Sequence, residues 1–541
     1  MHKLLPAAVV FFALMENNDN VELIVKGAYS DMQANGTHLR FVIIGLLLGI
    51  LMAAMDNTIV ATAMGTIVAD LGGLDKFVWV TSAYMVTFMA GMPIFGKLSD
   101  MYGRKRFYLL GLAIFLIGSA LCGLAQNIVQ LSIFRAIQGI GGGALMPIAF
   151  TIVFDVFPPE KRGKMTGMFG AVFGLSSVLG PLLGAYITEY ISWHWIFYVN
   201  VPIGIVSLLF IVRNYHESTQ HNKQRIDWLG AITLVAAIVC LMFALELGGK
   251  QFTWGSAPII GLFAGFVVFI GAFFVVETKA AEPIISFWMF KRRLFAASQA
   301  IAFLYGATFV IYTVYIPIFV QAVYGGSATH AGFILTPMML GSVLGSVFGG
   351  VFQTRTSYRS LMLVSVVAYA IGMVLIAMIS PETTRTALTI NMVIIGFGTG
   401  FSFSLLPTAS IHGMEMRYRG SANATNSFFR SLGMTLGITV FGTIQNKVFL
   451  SDLKNAFGNA GGAGGNPLGG FGDPRQIFEA SERVKIPPAV LDKIVAAMSS
   501  SITYAFGWAL IPTALAFIVI LMMGNARLEV GKKTAPQPKS H

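Results

Sequence analysis

Cysteine and charged residues are both scarce in this chain. Two cysteines, Cys122 and Cys240, occur among 541 residues, and both lie inside apolar runs. The sequence therefore predicts neither a disulfide framework nor a metal-ligand cluster. It also lacks a Walker-type phosphate loop, an HExxH motif and a GxSxG nucleophile elbow, which argues against ATP-driven or hydrolytic chemistry. We expect a protein that is not an enzyme and holds no cofactor.

Apolar residues are abundant instead. They make up 55% of the chain, charged residues make up 11%, and the mean hydropathy is +0.73. A soluble core cannot bury that much apolar surface. The apolar runs predict an all-α polytopic membrane protein with 14 transmembrane helices.

The net charge of +12 comes from basic residues in short loops between apolar runs. These loops alternate with loops that carry few cations, so the charge does not indicate a nucleic-acid partner. By the positive-inside rule the basic loops are cytoplasmic. We expect both termini in the cytoplasm and a multi-pass protein of the plasma membrane or bacterial inner membrane.

The first predicted span contains one charged residue, Asp56, between Phe41 and Ala69. A carboxylate at this depth costs about 2.5–3.5 kcal/mol on insertion scales, so it requires an explanation. Asp56 is either a structural acid hydrogen-bonded between helices or a protonatable site in a transporter. Among the 24 acidic residues, it is the one that the predicted spans place deep in the membrane.

The second half of the chain repeats the first at a constant spacing. The matching pairs are Gly139 with Gly396, Gly141 with Gly398, Gly143 with Gly400, Arg162 with Arg419, Gly163 with Gly420, and Gly180 with Gly437. Parallel repeats of this kind form the two halves of secondary transporters, with a site between them. The sequence therefore predicts two six-helix bundles, with two inserted helices between them.

The expected divisions follow from this repeat. They are a cytoplasmic extension (1–39), an N-terminal bundle (40–215), two inserted helices with their loops (216–280), a C-terminal bundle (281–525) that includes an extracellular hairpin (447–500), and a cytoplasmic tail (526–541). Within the extension, Leu4–Leu14 resembles a signal peptide but lacks its cleavage site. We expect an interfacial helix or an over-extended start there. The hairpin is glycine-rich and then carries one apolar helical face.

The loop after the second predicted span carries a dense motif. It reads Gly96-Lys-Leu-Ser-Asp100-Met-Tyr-Gly103-Arg104. Its glycines permit close helix contacts, Asp100 can face helix N-termini, and Arg104 offers a bidentate partner, for which we expect Asp155. The loop resembles motif A of the major facilitator superfamily, which implies a cytoplasmic gate. The alternative is a basic loop that only sets topology.

Two further motifs resemble that superfamily. Arg135 and Gln138 in the fourth span resemble its motif B, whose arginine is implicated in proton transfer; structural pairing is the competing interpretation. The fifth span carries a run that resembles motif C, which is associated with exporters, although a proline kink with close-packing glycines suits any helical bundle. The residues of this run are Gly174, Gly180, Pro181 and Gly184.

With 14 predicted spans and Asp56 in the first, residues 40–525 are similar to the 14-helix drug:proton antiporters. This resemblance implies proton-coupled export of lipophilic drugs or toxic compounds by alternating access, and hence antibiotic resistance. Some members that export divalent cations carry further acids in spans 10 and 13, where this chain has none. We therefore expect neutral or monovalent cationic substrates.

Two alternatives stay open at this point. One is a same-fold exporter of an endogenous solute such as an amino acid, siderophore, lipid or antibiotic. The other is a membrane sensor without transport. The expected partners are a small-molecule substrate, protons and the lipid bilayer. Nothing in the sequence indicates oligomerisation, so a monomer is the simplest expectation.

Candidate substrate contacts come from polar and aromatic side chains in the spans. Adaptable aromatic surfaces suit promiscuous recognition, but such stripes also serve ordinary helix packing. The candidates are Asn57, Tyr84, Gln138, Tyr305 and Tyr312.

Overall fold

The computed structural model describes residues 22–72, 76–217, 226–249, 251–325, 328–457 and 486–528. These residues form long helices, with one isolated β-bridge between Gly248 and Phe252. The helices are α1 (Glu22–Leu71), α2 (Val78–Tyr102), α3 (Arg104–Cys122), α4 (Ile128–Val156), α5 (Pro159–Tyr190), α6 (Trp195–Asn214), α7 (Trp228–Leu247), α8 (Ala257–Lys279), α9 (Arg293–Tyr324), α10 (Ala328–Phe352), α11 (Tyr358–Ala377), α12 (Arg385–Ser410), α13 (Arg419–Phe457) and α14 (Pro488–Leu521).

The helices of the described residues have the length and composition of membrane spans. Thirteen of them carry segments long and apolar enough to cross a bilayer, starting with His38–Leu71 in α1. The other, α2, has 25 residues and packs against α4 and α13. The predicted all-α polytopic architecture is confirmed.

Some helices extend beyond the predicted spans. The backbone of α1 is helical from Glu22, so residues 22–39 continue the first span, while 1–21 lie outside the described residues. α13 runs to Phe457 and α14 begins at Pro488. Both therefore enter the segment expected to form a hairpin, and residues 458–485 between them, like 529–541, are outside the described ranges. Ile494 and Met498, on the predicted apolar face, are buried.

The glycine repeat has a packing basis, because each half fits one glycine-lined helix between two others. A Cβ on any of these glycines would meet backbone atoms of the neighbouring helix. In the first half, Gly139 and Gly143 of α4 face Tyr84 and Phe88 of α2, and Gly141 faces Gly111 and Phe115 of α3. In the second half, Gly396 and Gly400 of α12 face Met338 and Ser342 of α10, and Gly398 faces Ser365 and Tyr369 of α11.

The ends of these helices repeat as well. Arg162 donates from Nε to the carbonyl of Phe157 at 2.8 Å, and Arg419 donates in the same way to the carbonyl of Met414 at 3.4 Å. Gly180 of α5 packs on α1, as Gly437 of α13 packs on α9. Equivalent contacts in both halves show that the sequence repeat is also a structural repeat.

The halves meet where α5 lies against α10 and α2 lies against α13. Helices α7 and α8, which the sequence predicts to be an inserted pair, pack on each other, and α7 contacts both α2 and α13. An apolar cavity of about 450 Å³ lies at this junction, lined by residues that include Met89 of α2, Leu241 of α7 and Phe428 of α13. The inserted pair therefore borders both halves.

Candidate functional site

Asp56 is fully buried inside the first half, where α1 meets α3, α4 and α6. Arg135 of α4 donates to its Oδ2 and forms an ion pair with it. Its Oδ1 accepts from Gln138 Nε2 at 2.7 Å and from Asn200 Nδ2 at 3.2 Å. The carboxylate is thus held by one cation and two amides from two other helices.

Arg135 is held just as closely. Its Nη1 also donates to Gln138 Oε1 at 2.7 Å, and its Nε donates to the carbonyl of Val80 at 3.4 Å. The guanidinium lies 4.1 Å from the ring centroid of Tyr84, within the range of a cation–π interaction. The two buried charges form an ion pair with each other, as ionisable residues inside membrane proteins generally do.

This geometry bears on both interpretations of the pair. Structural pairing is present in this conformation. A proton can reach Asp56 only if it competes with Arg135, because the guanidinium already occupies one carboxylate oxygen. Asn200 was not assigned a role from sequence; it is a buried amide in an otherwise apolar stretch of α6, and that isolation is the signal that could have identified it.

The other candidate substrate contacts are packed in this conformation. Tyr84, Gln138, Tyr305 and Tyr312 are at most 1% exposed. Tyr305 is within hydrogen-bond distance of Ser365, and Tyr312 of Thr399, inside the second half. All four residues line bundle interiors here, although the buried Tyr84 hydroxyl has no hydrogen-bond partner among the described residues. Their role in binding stays a prediction. The side chain of Asn57 is outside the described residues.

Asp100, at the end of α2, connects the two halves. Its oxygens accept from the backbone N–H groups of Gly420 at 2.9 Å and Ser421 at 2.8 Å, in the first turn of α13. A helix N-terminus presents free N–H groups and a partial positive charge, so it is a natural partner for a carboxylate. Arg104 Nη2 donates to the same carboxylate at 3.1 Å. We call this end of the molecule the gate end.

Further charges surround this contact. Arg104 forms an ion pair with Asp155 of α4 and donates to the carbonyl of Met416 at 2.7 Å. Asp155 also accepts from Arg419 Nη1 at 3.4 Å, so it bridges the two halves. Glu217 accepts from the backbone N–H of Arg104 at 2.7 Å. Arg419 and Glu217 were not predicted as site residues, since only the folded arrangement brings them beside the motif.

Two glycines of the gate loop have distinct roles. Gly103 alone separates α2 from α3 and has φ of 112°, a conformation that side chains disfavour. Gly96 allows α13 to approach α2, because a Cβ there would overlap Ala424 and lie 2.9 Å from the carbonyl oxygen of Gly420. The loop therefore lets the chain reverse direction sharply between α2 and α3, and it lets α2 of the first half pack closely on α13 of the second half.

The glycines of α5 bring it against two different helices. Gly174 faces Met339 of α10 in the other half; a methyl group at position 174 would lie 3.5 Å from the Met339 Cβ. Gly180 and Gly184 face Thr58 and Thr62 of α1, on either side of Pro181, which lies inside the continuous helix α5. α5 therefore couples the helix that carries Asp56 to the second half.

Comparisons with known proteins agree with this architecture. The family model described as Major Facilitator Superfamily matches residues 46–438. The chain is 68% identical over 501 residues to Multidrug resistance protein 3 of Bacillus subtilis, which covers 92% of this chain and 97% of the relative. It is 38% identical over 404 residues to Multidrug transporter protein MdtP of the same organism, covering 75% of each.

A solved structure has the same fold. The proton:xylose symporter XylE, bound to 6-bromo-6-deoxy-D-glucose, aligns with a TM-score of 0.58 and 12% sequence identity. The alignment covers 92% of this chain and 98% of that one. At this identity the likeness concerns the fold.

Proposed function

Because this chain belongs to the major facilitator superfamily of membrane transporters, we propose that it is a proton-coupled antiporter that exports lipophilic drugs or other toxic compounds. Its preferred substrates are neutral compounds or monovalent cations, and it works by alternating access in the plasma membrane with both termini in the cytoplasm. The observation that carries the coupling is the fully buried Asp56–Arg135 ion pair. The names of the two bacterial relatives support the multidrug substrate class.

The proposed coupling step is a competition between a proton and Arg135 for Asp56. In the conformation described here Arg135 holds the carboxylate. In the other access state the pair separates, Asp56 takes a proton, and Arg135 turns to neutral acceptors such as the Val80 carbonyl, which it already contacts. When Arg135 pairs with Asp56 again, it displaces the proton, which leaves on the side of the membrane opposite to the one from which it entered.

The gate supports the direction of this cycle. The contacts of Asp100 and Asp155 with α13 hold the halves together at the gate end. With the basic loops in the cytoplasm, this end is cytoplasmic. Closure there keeps an exported compound from returning to the cell.

The energetics of one proton per cycle are sufficient. A charge that crosses 100 mV carries about 2.3 kcal/mol, enough for roughly a fifty-fold gradient of a neutral compound. A monovalent cation exchanged for one proton is driven by the pH gradient alone. A dication exchanged for one proton would move one net positive charge out of the cell against the membrane potential.

Dye accumulation in everted membrane vesicles with an imposed pH gradient tests the proposal. We expect wild-type protein to accumulate neutral and monocationic dyes, with at least about tenfold weaker accumulation of a matched dication, and the Asp56→Asn variant to show none above background. A matched control is Asp452→Asn, a substitution of an acid near the end of α13. Stronger export of the dication, or normal export by Asp56→Asn, would contradict the proposal.

A further inference from the structure

α13 carries an arginine, Arg430, whose contacts differ from those of Arg135. Its Nη1 donates to Ser402 Oγ at 3.1 Å and its Nη2 to the Ser402 carbonyl at 3.0 Å. Its guanidinium lies 4.6 Å from the ring centroid of Phe403. Among the residues that the structure describes, the acids that form ion pairs all pair with other cations.

Within the part of the chain that the structure describes, this arrangement leaves the positive charge of Arg430 without a counter-charge inside a membrane span. A guanidinium has five N–H donors, and Ser402 accepts from two of its nitrogens. Intramembrane cations normally face a partner or an aqueous cavity, because an uncompensated ion is costly there. The charge of Arg430 thus remains available to an anionic group that enters from outside the protein.

Arg430 is placed where such a group can arrive. It lies two helical turns, about 10 Å, from Asn423 on the same face of α13. Asn423 Nδ2 donates to Thr151 Oγ1 of α4 at 3.4 Å, across the junction between the halves. Arg430 itself is only partly buried. Arg430 therefore lies further along α13 than the contacts between the halves at the gate end, and its guanidinium contacts α12 of the second half.

Neighbouring residues place Arg430 at the same junction. Next to it along α13, Ser431 donates to the Met92 sulfur of α2 at 3.9 Å. Phe403, under the guanidinium, is close to α5 of the first half, since a Cβ built on Gly170 would lie 3.4 Å from its Cβ. Alternating access opens this junction, so the arginine and the aromatic ring would be exposed together.

We infer that Arg430 is a substrate-binding residue that recognises a carboxylate on an otherwise lipophilic compound. This inference rests on the proposed function and specifies its substrates further. A guanidinium binds a carboxylate through two parallel hydrogen bonds, which a cation without an acceptor group cannot form. Since Arg135 neutralises Asp56, Arg430 carries the uncompensated charge of this region. Lipophilic zwitterions, which have no net charge, are then the preferred substrates within the neutral class of the proposed function.

A rhodamine carboxylic acid and its methyl ester form a matched pair of probes. They share the aromatic cation and differ in the carboxylate. Everted vesicles with a pH gradient would carry wild type, Arg430→Gln, Arg430→Lys and the control Arg385→Gln, which changes an exposed arginine at the start of α12. A second measurement is the shift in thermal unfolding of the purified full-length protein on addition of each dye, which reports binding without transport.

For Arg430→Gln we expect transport of the acid to fall by about tenfold or more, as for loss of a hydrogen-bonded charge, and transport of the ester to stay within about twofold. Arg430→Lys should be intermediate, and Arg385→Gln should match wild type. The thermal shift by the acid should shrink in parallel.

An equal loss for both dyes, or no loss for the acid, would overturn the inference. If wild-type vesicles move neither dye, the proposed function fails for these compounds, and the thermal shift alone decides the inference. In that case, the inference would be overturned if the acid shifted the thermal unfolding of wild type and Arg430→Gln equally, or shifted neither.

Discussion

At the scale of single residues, Asp56 and Arg135 depend on each other. Both are at most 1% exposed, and each satisfies the charge of the other. Removing one partner of a buried pair leaves an uncompensated charge and typically costs about 3–5 kcal/mol of stability. Loss of transport in a single variant therefore has two explanations, one of folding and one of proton coupling.

The double variant Asp56→Asn/Arg135→Gln separates these explanations. Removing both charges leaves neutral amides that can hydrogen-bond with Gln138 and Asn200, so we expect its thermal unfolding temperature to recover most of what either single variant loses. Transport driven by a pH gradient should stay at background, because no protonatable group is left at this position. Both quantities are measurable on purified protein, in detergent and in proteoliposomes.

The single variants provide the control for expression and insertion. Recovery of gradient-driven transport by the double variant would assign the pair a structural role alone.

At the scale of helices, the contact of α5 with α1 connects the second half to the helix that bears Asp56. Gly180 and Gly184 face Thr58 and Thr62, which lie about half a turn and about one and a half turns beyond Asp56 towards the end of α1. A methyl group at Gly180 would overlap the Thr58 hydroxyl and approach the Met55 carbonyl oxygen at 3.2 Å. An added methyl group would push α1 away from α5. The Asp56–Arg135 ion pair lies beside this contact, so it would be displaced as well.

We expect Gly180→Ala to lower the unfolding temperature and to reduce efflux severalfold, since overpacking costs about 1–3 kcal/mol. The matched control is Gly261→Ala in α8, where an added Cβ meets no atom within 4 Å. That variant should be neutral or slightly more stable, because alanine favours the helix. Similar effects of both substitutions on unfolding and dye efflux would contradict the packing argument.

The helices themselves were predictable because a bilayer demands about 20 apolar residues per span. The ends of the helices were not predictable, because a helix that extends beyond the bilayer does not have to be apolar. For example, α13 continues through polar residues to Phe457. Arg135 was a natural partner for Asp56, as deep charges of opposite sign are rare. Asn200 and Arg419 were not assigned, because uncharged polar residues are common in spans and Arg419 acts only when the halves meet.

At the scale of the whole molecule, the gate end holds the two halves together through Asp100. The contact joins a carboxylate to backbone donors of α13, with Arg104 and Asp155 around it. Hydrogen bonds to a charged group contribute about 1.5–3 kcal/mol each. Loss of this charge is enough to shift a balance between two conformations.

Asp100→Asn should therefore populate a state open at the gate end at least about tenfold more than wild type does. Spin labels at positions 106 and 355, exposed at this end in the two halves, would report the change as a longer distance. Cys122 and Cys240 would first be replaced. Glu415→Gln is the control, since this side chain is 70% exposed and pairs with Arg417 at the surface. An unchanged distance distribution in Asp100→Asn would show that the Asp100 contact does not hold the gate end closed.

The apolar cavity beside the inserted helices has walls that belong to α2, α7, α8 and α13. If the two halves rock against each other during transport, as proposed, we expect a space of about 450 Å³ bounded by both to change in size. Each transport cycle then includes a change in molecular volume as well as a movement of charge. Hydrostatic pressure acts on volume changes of this kind, so we expect the transport cycle of this protein to respond to compression.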